Sequence, residues 1–399
     1  MSESGQGGLT PEQRRYLEIL EEERRRNGGK RPQGSGKKPQ RRRSRNLSCD
    51  KRDTKDGKKP RGKVSVAIIC LLLIAICFGL LAWLYFSNLV GHLDTISTSP
   101  EEFDIDSAVA EDLKNYRNVA ILGSDGRKDE GFDGTRTDAI IIASINKHTS
   151  KIKLISILRD SYLEIKDANG ESKLDKITHA HAYGGGVDTC ASLNRNLDLN
   201  INEFVIFSWQ AVADLVDAMG GVEVDVKYDE LYDLNRYGDE TARNVGKTYN
   251  PIYESGKMKL DGVQAATYCR IRKYSGGDVG RGKRMKAVMS GLIKEAKKKD
   301  LAELNDIAEM TFPKVRTNIT KRGMLKTVAG IGDYQISNNM RWPDDYYGGM
   351  INGVWYTVPR TLESQVKYIH KKAFGQKDYE VTDRVKNISH QIVDRTGVQ

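Results

Sequence analysis

The sequence predicts an α/β fold: a three-layer domain with a central mixed sheet, preceded by one transmembrane helix. Three observations carry this reading. A 23-residue uncharged run, Val64 to Phe86, follows a basic tail. Beyond it, β-branched runs such as "NVAILGS", "AIIIASI" and "KIKLISIL" recur between loops. Amphipathic helical patterns separate later strand-like runs, and strands and helices in this order argue for helices layered on a mixed sheet.

Residues 1–63 read as a disordered cytoplasmic tail with a short helix near residues 11–26. Thr10, Pro11 and Glu12 mark a helix start, and "PEQRRYLEILEEERRR" carries acid and base at i, i+4 spacing. From Asn27 to Lys63 the composition is Gly, Ser, Lys, Arg and Pro with almost no apolar residues, which no packed core can use. The tail holds 20 Lys+Arg against 9 Asp+Glu; of the chain's 64 and 54, that leaves 44 against 45 for the remainder. The formal charge of +10 therefore belongs to the tail and gives no reason to expect nucleic acid on the folded body. On the tail it fits an anionic lipid surface, each basic residue contributing about 1 kcal/mol.

Residues 64–86 suffice to cross a bilayer of about 30 Å as a helix. The run starts far from the amino terminus and ends in Trp83, Tyr85 and Phe86 rather than at a small-residue cleavage site, so it reads as an uncleaved signal anchor. Arg52, Lys55, Lys58, Lys59, Arg61 and Lys63 crowd its amino side, whereas the first charge beyond it is Asp94. The positive-inside rule then puts the tail in the cytoplasm and everything after the span outside the cell membrane.

Outside, residues 87–114 read as a linker, 115–300 as a catalytic domain, 301–375 as its closing part and 376–399 as a C-terminal extension. "AIIIASI" and "KIKLISIL" are joined by "NKHTS", the length of a hairpin. Helical patterns follow over Lys176 to Tyr183 and Asp188 to Leu197, then a strand "EFVIF", a helix Trp209 to Met219 and a strand "VEVDV". Tyr228 to Glu254 is polar and reads as an irregular excursion. In "YCRIRKY", strand alternation places Tyr268, Arg270 and Arg272 on one face. From Arg281 to Lys299 an amphipathic helix sets Met285, Val288, Met289, Leu292 and Ala296 on one side. Cys190 and Cys269 stand either as a disulfide or as two buried thiols.

The chemistry concentrates in four places. "GSDGRKDEGFDGTRTD", from Gly123 to Asp138, puts Asp125, Arg136 and Asp138 at strand ends, where open α/β sheets place ligands. Two carboxylates there suit Mg²⁺, which takes a few carboxylates plus phosphate oxygens; an exposed acidic loop is the plain alternative. Arg159 and Asp160 break an apolar run. Arg270 and Arg272 sit close enough to need an anion. "GGDVGRGKRMKAV" opens a helix with Arg281 and Arg284 at i, i+3, where free N–H groups favour anions. Gly277, Gly282 and Lys283 approach the phosphate-loop pattern, but Arg284 occupies the hydroxyl position. Ser150–Lys153 and Ser364–Lys367 match SxxK without its companion motifs, and neither HExxH nor GxSxG occurs. Arginine and aspartate chemistry remains, which favours phosphoryl over acyl transfer.

Taken in order, "NVAILGSDGR", "TRTDAIIIASIN", "KIKLISILRDSYLEI", "LVDAMGGVEVDV", "GKMKLDGVQAATYCRIRK" and "DVGRGKRMKAV" resemble the LytR-CpsA-Psr family of Gram-positive bacteria. "VWYTVPRTLESQVKYIHKKAF" is similar to its closing segment. The resemblance implies a three-layer α/β/α enzyme that moves a glycopolymer from a polyprenyl-pyrophosphate carrier to peptidoglycan. It implies Asp125 and Asp138 as magnesium-linked acids, with Arg136 beside them in catalysis. Arg159, Arg270, Arg272, Arg281 and Arg284 would hold the pyrophosphate, with Arg127, Asp160 and Asp278 as subsidiary motif residues. The family commonly reads Arg-Gln where this chain reads Arg284-Met285, so an amide contact is lost or replaced by Lys283 or Lys286. Hydrolysis of the lipid-linked pyrophosphate without transfer, an envelope-sensing regulator acting through the tail, and a wall-binding scaffold stand as alternatives.

Overall fold

The computed structural model describes residues 91, 93–124, 126, 131–271, 277–330, 332–337 and 340–399. The tail and the apolar run 64–86 lie outside these residues; among the described residues no helix is long and apolar enough to cross a membrane. The described chain belongs to one compact unit.

Its elements run β1 (Asp94–Thr95), α1 (Ser107–Asp112), β2 (Tyr116–Ser124), β3 (Thr137–Asn146), β4 (Lys151–Ile157), β5 (Tyr162–Lys166), β6 (Ser172–Lys176), α2 (Ile177–Leu197), β7 (Glu203–Ser208) and α3 (Trp209–Ala218). Then follow β8 (Val222–Val226), α4 (Glu230–Val245), β9 (Gly256–Leu260), α5 (Gly262–Arg270), α6 (Gly277–Ala296) and α7 (Leu301–Thr311). The chain closes with β10 (Val315–Thr317), α8 (Lys321–Ala329), β11 (Gln335–Ile336), β12 (Met340–Trp342), β13 (Tyr346–Ile351), β14 (Val354–Pro359), α9 (Leu362–Ile369) and α10 (Asp383–Thr396).

The fold is mixed α/β around a central mixed sheet in the order β1-β10-β7-β2-β3-β4-β11, with β12 also on β4. β2, β3 and β4 are antiparallel neighbours, and β7 runs parallel to β2. Side-chain alternation sends Leu122, Ile140, Ile142, Ile155 and Ile157 into a core shared with Leu193 and Leu197 of α2, Val366 of α9 and Ile388 of α10. The opposite face of β3 and β4 carries α6, whose Gly282 lies where a Cβ would stand 3.4 Å from Ser156 Oγ.

Several sequence expectations are corrected. Tyr228–Glu254 is not irregular: α4 occupies its centre, with Leu231, Leu234, Gly238, Ala242 and Val245 recurring at helical spacing on the buried side. Gly238 is needed there, because a Cβ would come within 2.3 Å of the Tyr249 ring. "TYCR" is helical rather than a strand. Asp261 caps α5 by accepting from Gln264 N–H at 2.8 Å, and the Gln264 side chain returns a bond to Asp261 N–H, a capping box that fixes the helix start. "VEVDV" forms β8, but it pairs with β9 in a separate ribbon. The two helical patterns over 176–183 and 188–197, by contrast, hold: α2 consists of two helices that meet at Gly184 and Gly185, where the backbone leaves helical geometry and φ reaches +62°. Residues 94–113 are not a free linker, since Phe103, Val109 and Leu113 are core; nor is 376–399 an appendage, since Val385, Ile388 and Ile392 are buried with them. Cys190 and Cys269 are free buried thiols rather than a pair, each held well above the usual thiol range by burial.

Candidate functional site

The site forms where β2 ends, β3 begins and β4 ends, at one end of the sheet. Local bonds shape the loop into β3. Ser124 Oγ lies 2.8 Å from Thr135 Oγ1 and accepts from Gly126 N–H at 3.0 Å, while Thr135 Oγ1 donates to Phe132 O. The first turn of α2 locks the next residues, with Thr178 Oγ1 donating to Thr137 O at 2.7 Å and Thr178 N–H to Arg159 O at 3.1 Å. His181 Nδ1 stands 2.7 Å from Thr135 O.

This frame aligns a run of alternating charge. Arg159 bonds Asp138 and places its Nε 3.6 Å from Asp160 Oδ2; Lys176 Nζ is 3.1 Å from Asp160 Oδ1. Lys176 also lies 5.5 Å from the Tyr356 ring centroid. Tyr356 leads to Asp175, whose carboxylate receives His179 Nδ1 at 2.9 Å and the Tyr356 hydroxyl at 3.3 Å. Burial would push Asp175 up, but hydrogen bonds from His179, the Lys176 N–H and Lys173 outweigh it and hold the carboxyl at about 2.

Asp138 is also the polar end of a cavity of about 430 Å³ between α6 and the β3–β4 face. Ala139, Ile141, Leu158, Met285 and Met340 supply its apolar lining. Among the described residues four cationic side chains, Arg281, Lys283, Lys286 and Arg341, line it against one carboxylate, Asp138, which is already paired with Arg159. Ser156 Oγ, buried in its floor, has no hydrogen-bond partner among the described residues. Lys286 is half-buried, and loss of water holds its ammonium down to about 8; it donates to Met340 O at 2.9 Å. An excess of positive charge, with Arg281 buried, Lys286 and Arg341 half-buried and Lys283 exposed, above an apolar floor fits an amphiphilic anion.

The sequence candidates divide accordingly. Asp138, Arg159 and Asp160 come together, and Arg281 joins Asp138 across the cavity. Arg136 is exposed and outside the cavity lining. Arg270 is held by α4, donating to Thr241 Oγ1 at 2.8 Å and pairing with Glu240 at 3.4 Å, instead of facing the cavity. Arg284 is corrected outright. It is 2% exposed, pairs with Glu230 at 3.1 Å, and donates to the carbonyls of Tyr268 and Ile271, so its fork ties α4, α5 and α6 together. Both α6 arginines also lie beyond the helix's first turn, because α6 starts at Gly277, earlier than the glycines imply. Asp278 belongs to that first turn; Asp125, Arg127 and Arg272 lie outside the described residues. Met285 is buried in the cavity wall, consistent with packing, and Lys283 and Lys286 line the same cavity. Arg341 escaped the sequence reading, because only the pairing of β12 with β4 brings it to the cavity.

Among the described residues no three His, Cys, Asp or Glu side chains group as metal ligands. The family model for LytR_cpsA_psr matches residues 90–372. The chain belongs to the LytR-CpsA-Psr family. Within it, the chain is 29% identical over 283 residues to a Bacillus cereus polyisoprenyl-teichoic acid–peptidoglycan teichoic acid transferase TagU, covering 70% of this chain and 86% of that one. A Bacillus anthracis TagU is 30% identical over the same coverage. Solved structures of similar fold include a Streptococcus agalactiae protein (TM-score 0.57, 20% identity, 69% of this chain and 92% of that one). An Enterococcus faecalis protein described as a transcriptional regulator superposes with a TM-score of 0.52 at 24% identity, over 71% and 95% of the two chains. At such identities these likenesses speak for the fold alone.

Proposed function

We propose that this protein is a membrane-anchored phosphotransferase that moves a glycopolymer, of the teichoic-acid type handled by its TagU relatives, from a polyprenyl-pyrophosphate carrier to peptidoglycan outside the cell. The observation that carries the reading is the cavity: four cations and one paired carboxylate above an apolar floor suit a pyrophosphate joined to a prenyl chain. In the reaction a sugar hydroxyl of the acceptor attacks the phosphorus that bears the polymer. The bond from that phosphorus to the bridging oxygen breaks, polyprenyl phosphate leaves, and the hydroxyl proton is released. A loose phosphoryl transition state asks for positioning and positive charge more than for a strong base. Arg281, Lys286 and Arg341 would stabilise the leaving phosphate, and Arg159 would hold the Asp138 and Asp160 carboxylates in place.

Magnesium belongs to the proposal. Asp138 offers hard oxygens at the polar end, and its bond to Arg159 leaves a carboxylate able to accept further partners, so the donor chemistry fits, with Asp125 as the second acid. Bound there, the ion would neutralise charge on phosphate oxygens. The anchor is the run 64–86, with the tail cytoplasmic.

The test uses the full chain in proteoliposomes with labelled lipid-linked polymer, peptidoglycan strands and Mg²⁺. Label passing to peptidoglycan, and stopping on chelation, is expected. Release of free phosphorylated polymer alone would assign a pyrophosphatase instead.

A further inference from the structure

The β13–β14 hairpin beside the cavity exposes apolar residues on both of its faces, Met350 and Trp355 on one and Tyr347 and Val354 on the other. From Tyr346 to Val358 the β13–β14 hairpin carries no charged residue, and its tip turns at Asn352 and Gly353, both at positive φ. Met350 and Trp355, opposite one another in the register, are 61% and 51% exposed; Tyr347 and Val354 are 42% and 41% exposed. The Trp355 ring lies against Gly348, where a Cβ would stand 3.0 Å from Cζ2. At the hairpin's base, Arg341 lines the cavity and sits 5.3 Å from the Tyr346 ring centroid. Aromatic and apolar residues therefore continue from the cavity wall toward the tip.

Strand directions set where the tip points. β5 leaves the site end, since Asp160 precedes it and Glu164 N–H bonds Asn196 near the far end of α2. β14 runs parallel to this segment through the Ser161–Thr357 bridge, with Thr357 N–H on Asp160 O at 2.9 Å, so the turn before β14 projects at the site end. The chain also reaches the sheet there. Asp94 is level with Arg316, Ile206 and Leu122, two residues before β2 ends, and Arg316 bonds both Asp94 and Asp133 of the site loop. Only residues 87–93 separate Asp94 from the apolar run, a tether of at most about 28 Å.

We infer that the β13–β14 tip dips into the headgroup region of the outer leaflet from which the chain hangs, seating the cavity mouth against the lipid phase. Exposed Trp and Tyr with apolar neighbours and no charge suit that interface. A glycan strand is less well matched, because Met350 and Val354 flank the rings where a sugar needs hydrogen-bonding groups. The inference rests on the membrane anchoring proposed above.

The full chain in proteoliposomes tests it. Subtracting the fluorescence of Trp355→Phe from that of the wild type isolates Trp355. Bromolipids are expected to quench the difference signal more strongly than aqueous acrylamide does. Acrylamide quenching without bromolipid quenching would overturn the inference, as would protection from acrylamide by added peptidoglycan fragments, which would assign the face to glycan. Met350→Asp with Trp355→Asp is expected to cut transfer from a long-chain membrane-borne donor about ten-fold and to spare a water-soluble short-chain donor. Equal effects on both donors would count against it. Asp138→Ala separates the two readings: transfer is lost while bromolipid quenching of Trp355 persists. A wild type that is quenched by bromolipid yet transfers nothing would sink the functional reading and leave this one standing.

Discussion

Two arginines three residues apart on α6 show how one sequence signal divides into two roles. Arg281 and Arg284 are both buried, at 5% and 2% exposure, and as i, i+3 neighbours they look alike in sequence. Around Arg284 the charge closes: one guanidinium meets Glu230 and two backbone carbonyls. Arg281 instead faces a cationic cavity: Lys283, Lys286 and Arg341 line it too, and among the described residues Asp138 is the acid in that lining. A buried cation with matched partners is architecture. A cluster of cations with one shared carboxylate is a place for an anion.

Breaking the closed side is expected to have the largest effect. Arg284→Ala strands Glu230 in the interior and should lower unfolding free energy by about 3–5 kcal/mol in a urea titration, with activity falling in step. On the open side, Arg281→Ala or Asp138→Ala should reduce transfer about 10²–10³-fold while the urea midpoint stays near wild type. If Arg281→Ala destabilised as much as Arg284→Ala, the contrast between the two would collapse. Next comes packing on the far turns of the same helix. Gly291→Ala would bring a Cβ to 2.3 Å from Val222 Cγ2, and about 1–3 kcal/mol of destabilisation is expected with the donor site intact.

The smallest effect is one of pH. Lys286 is held at about 8 by burial, below its ordinary 10.5. Between those values the unfolded chain keeps the proton and the folded chain does not, so this residue's burial penalty is present below about 8 and is relieved as pH rises. Donor affinity moves the other way, falling several-fold as pH rises through about 8 and the ammonium is lost. Lys286→Arg should flatten that profile, since a guanidinium stays charged.

The sheet was legible in the sequence because β2, β3, β4 and β7 are long β-branched runs whose pattern needs no partner to be recognised. α4 was not, because Gly238 and Thr241 interrupt the run of Leu231, Leu234, Ala242 and Val245 on its buried side, and Glu230 and Asp233 are buried with them. "YCRIRKY" alternates like a strand, yet the Asp261–Gln264 capping box upstream commits the chain to a helix before the alternation begins. For the site, strand-end position found Asp138, Arg159 and Asp160, which depend only on where strands stop. It could not separate Arg281 from Arg284, because Glu230 arrives from 54 residues away, nor find Arg341, which a sheet-edge pairing delivers.

The central claim is that the open side of α6 holds a lipid-linked pyrophosphate, and equilibrium binding of a polyprenyl pyrophosphate to the full chain in nanodiscs tests it most directly. The account predicts that the wild type binds and that Arg281→Ala weakens binding at least about ten-fold, with its unfolding midpoint unmoved. Unchanged affinity in both Arg281→Ala and Lys286→Ala, or no binding by the wild type, would contradict it.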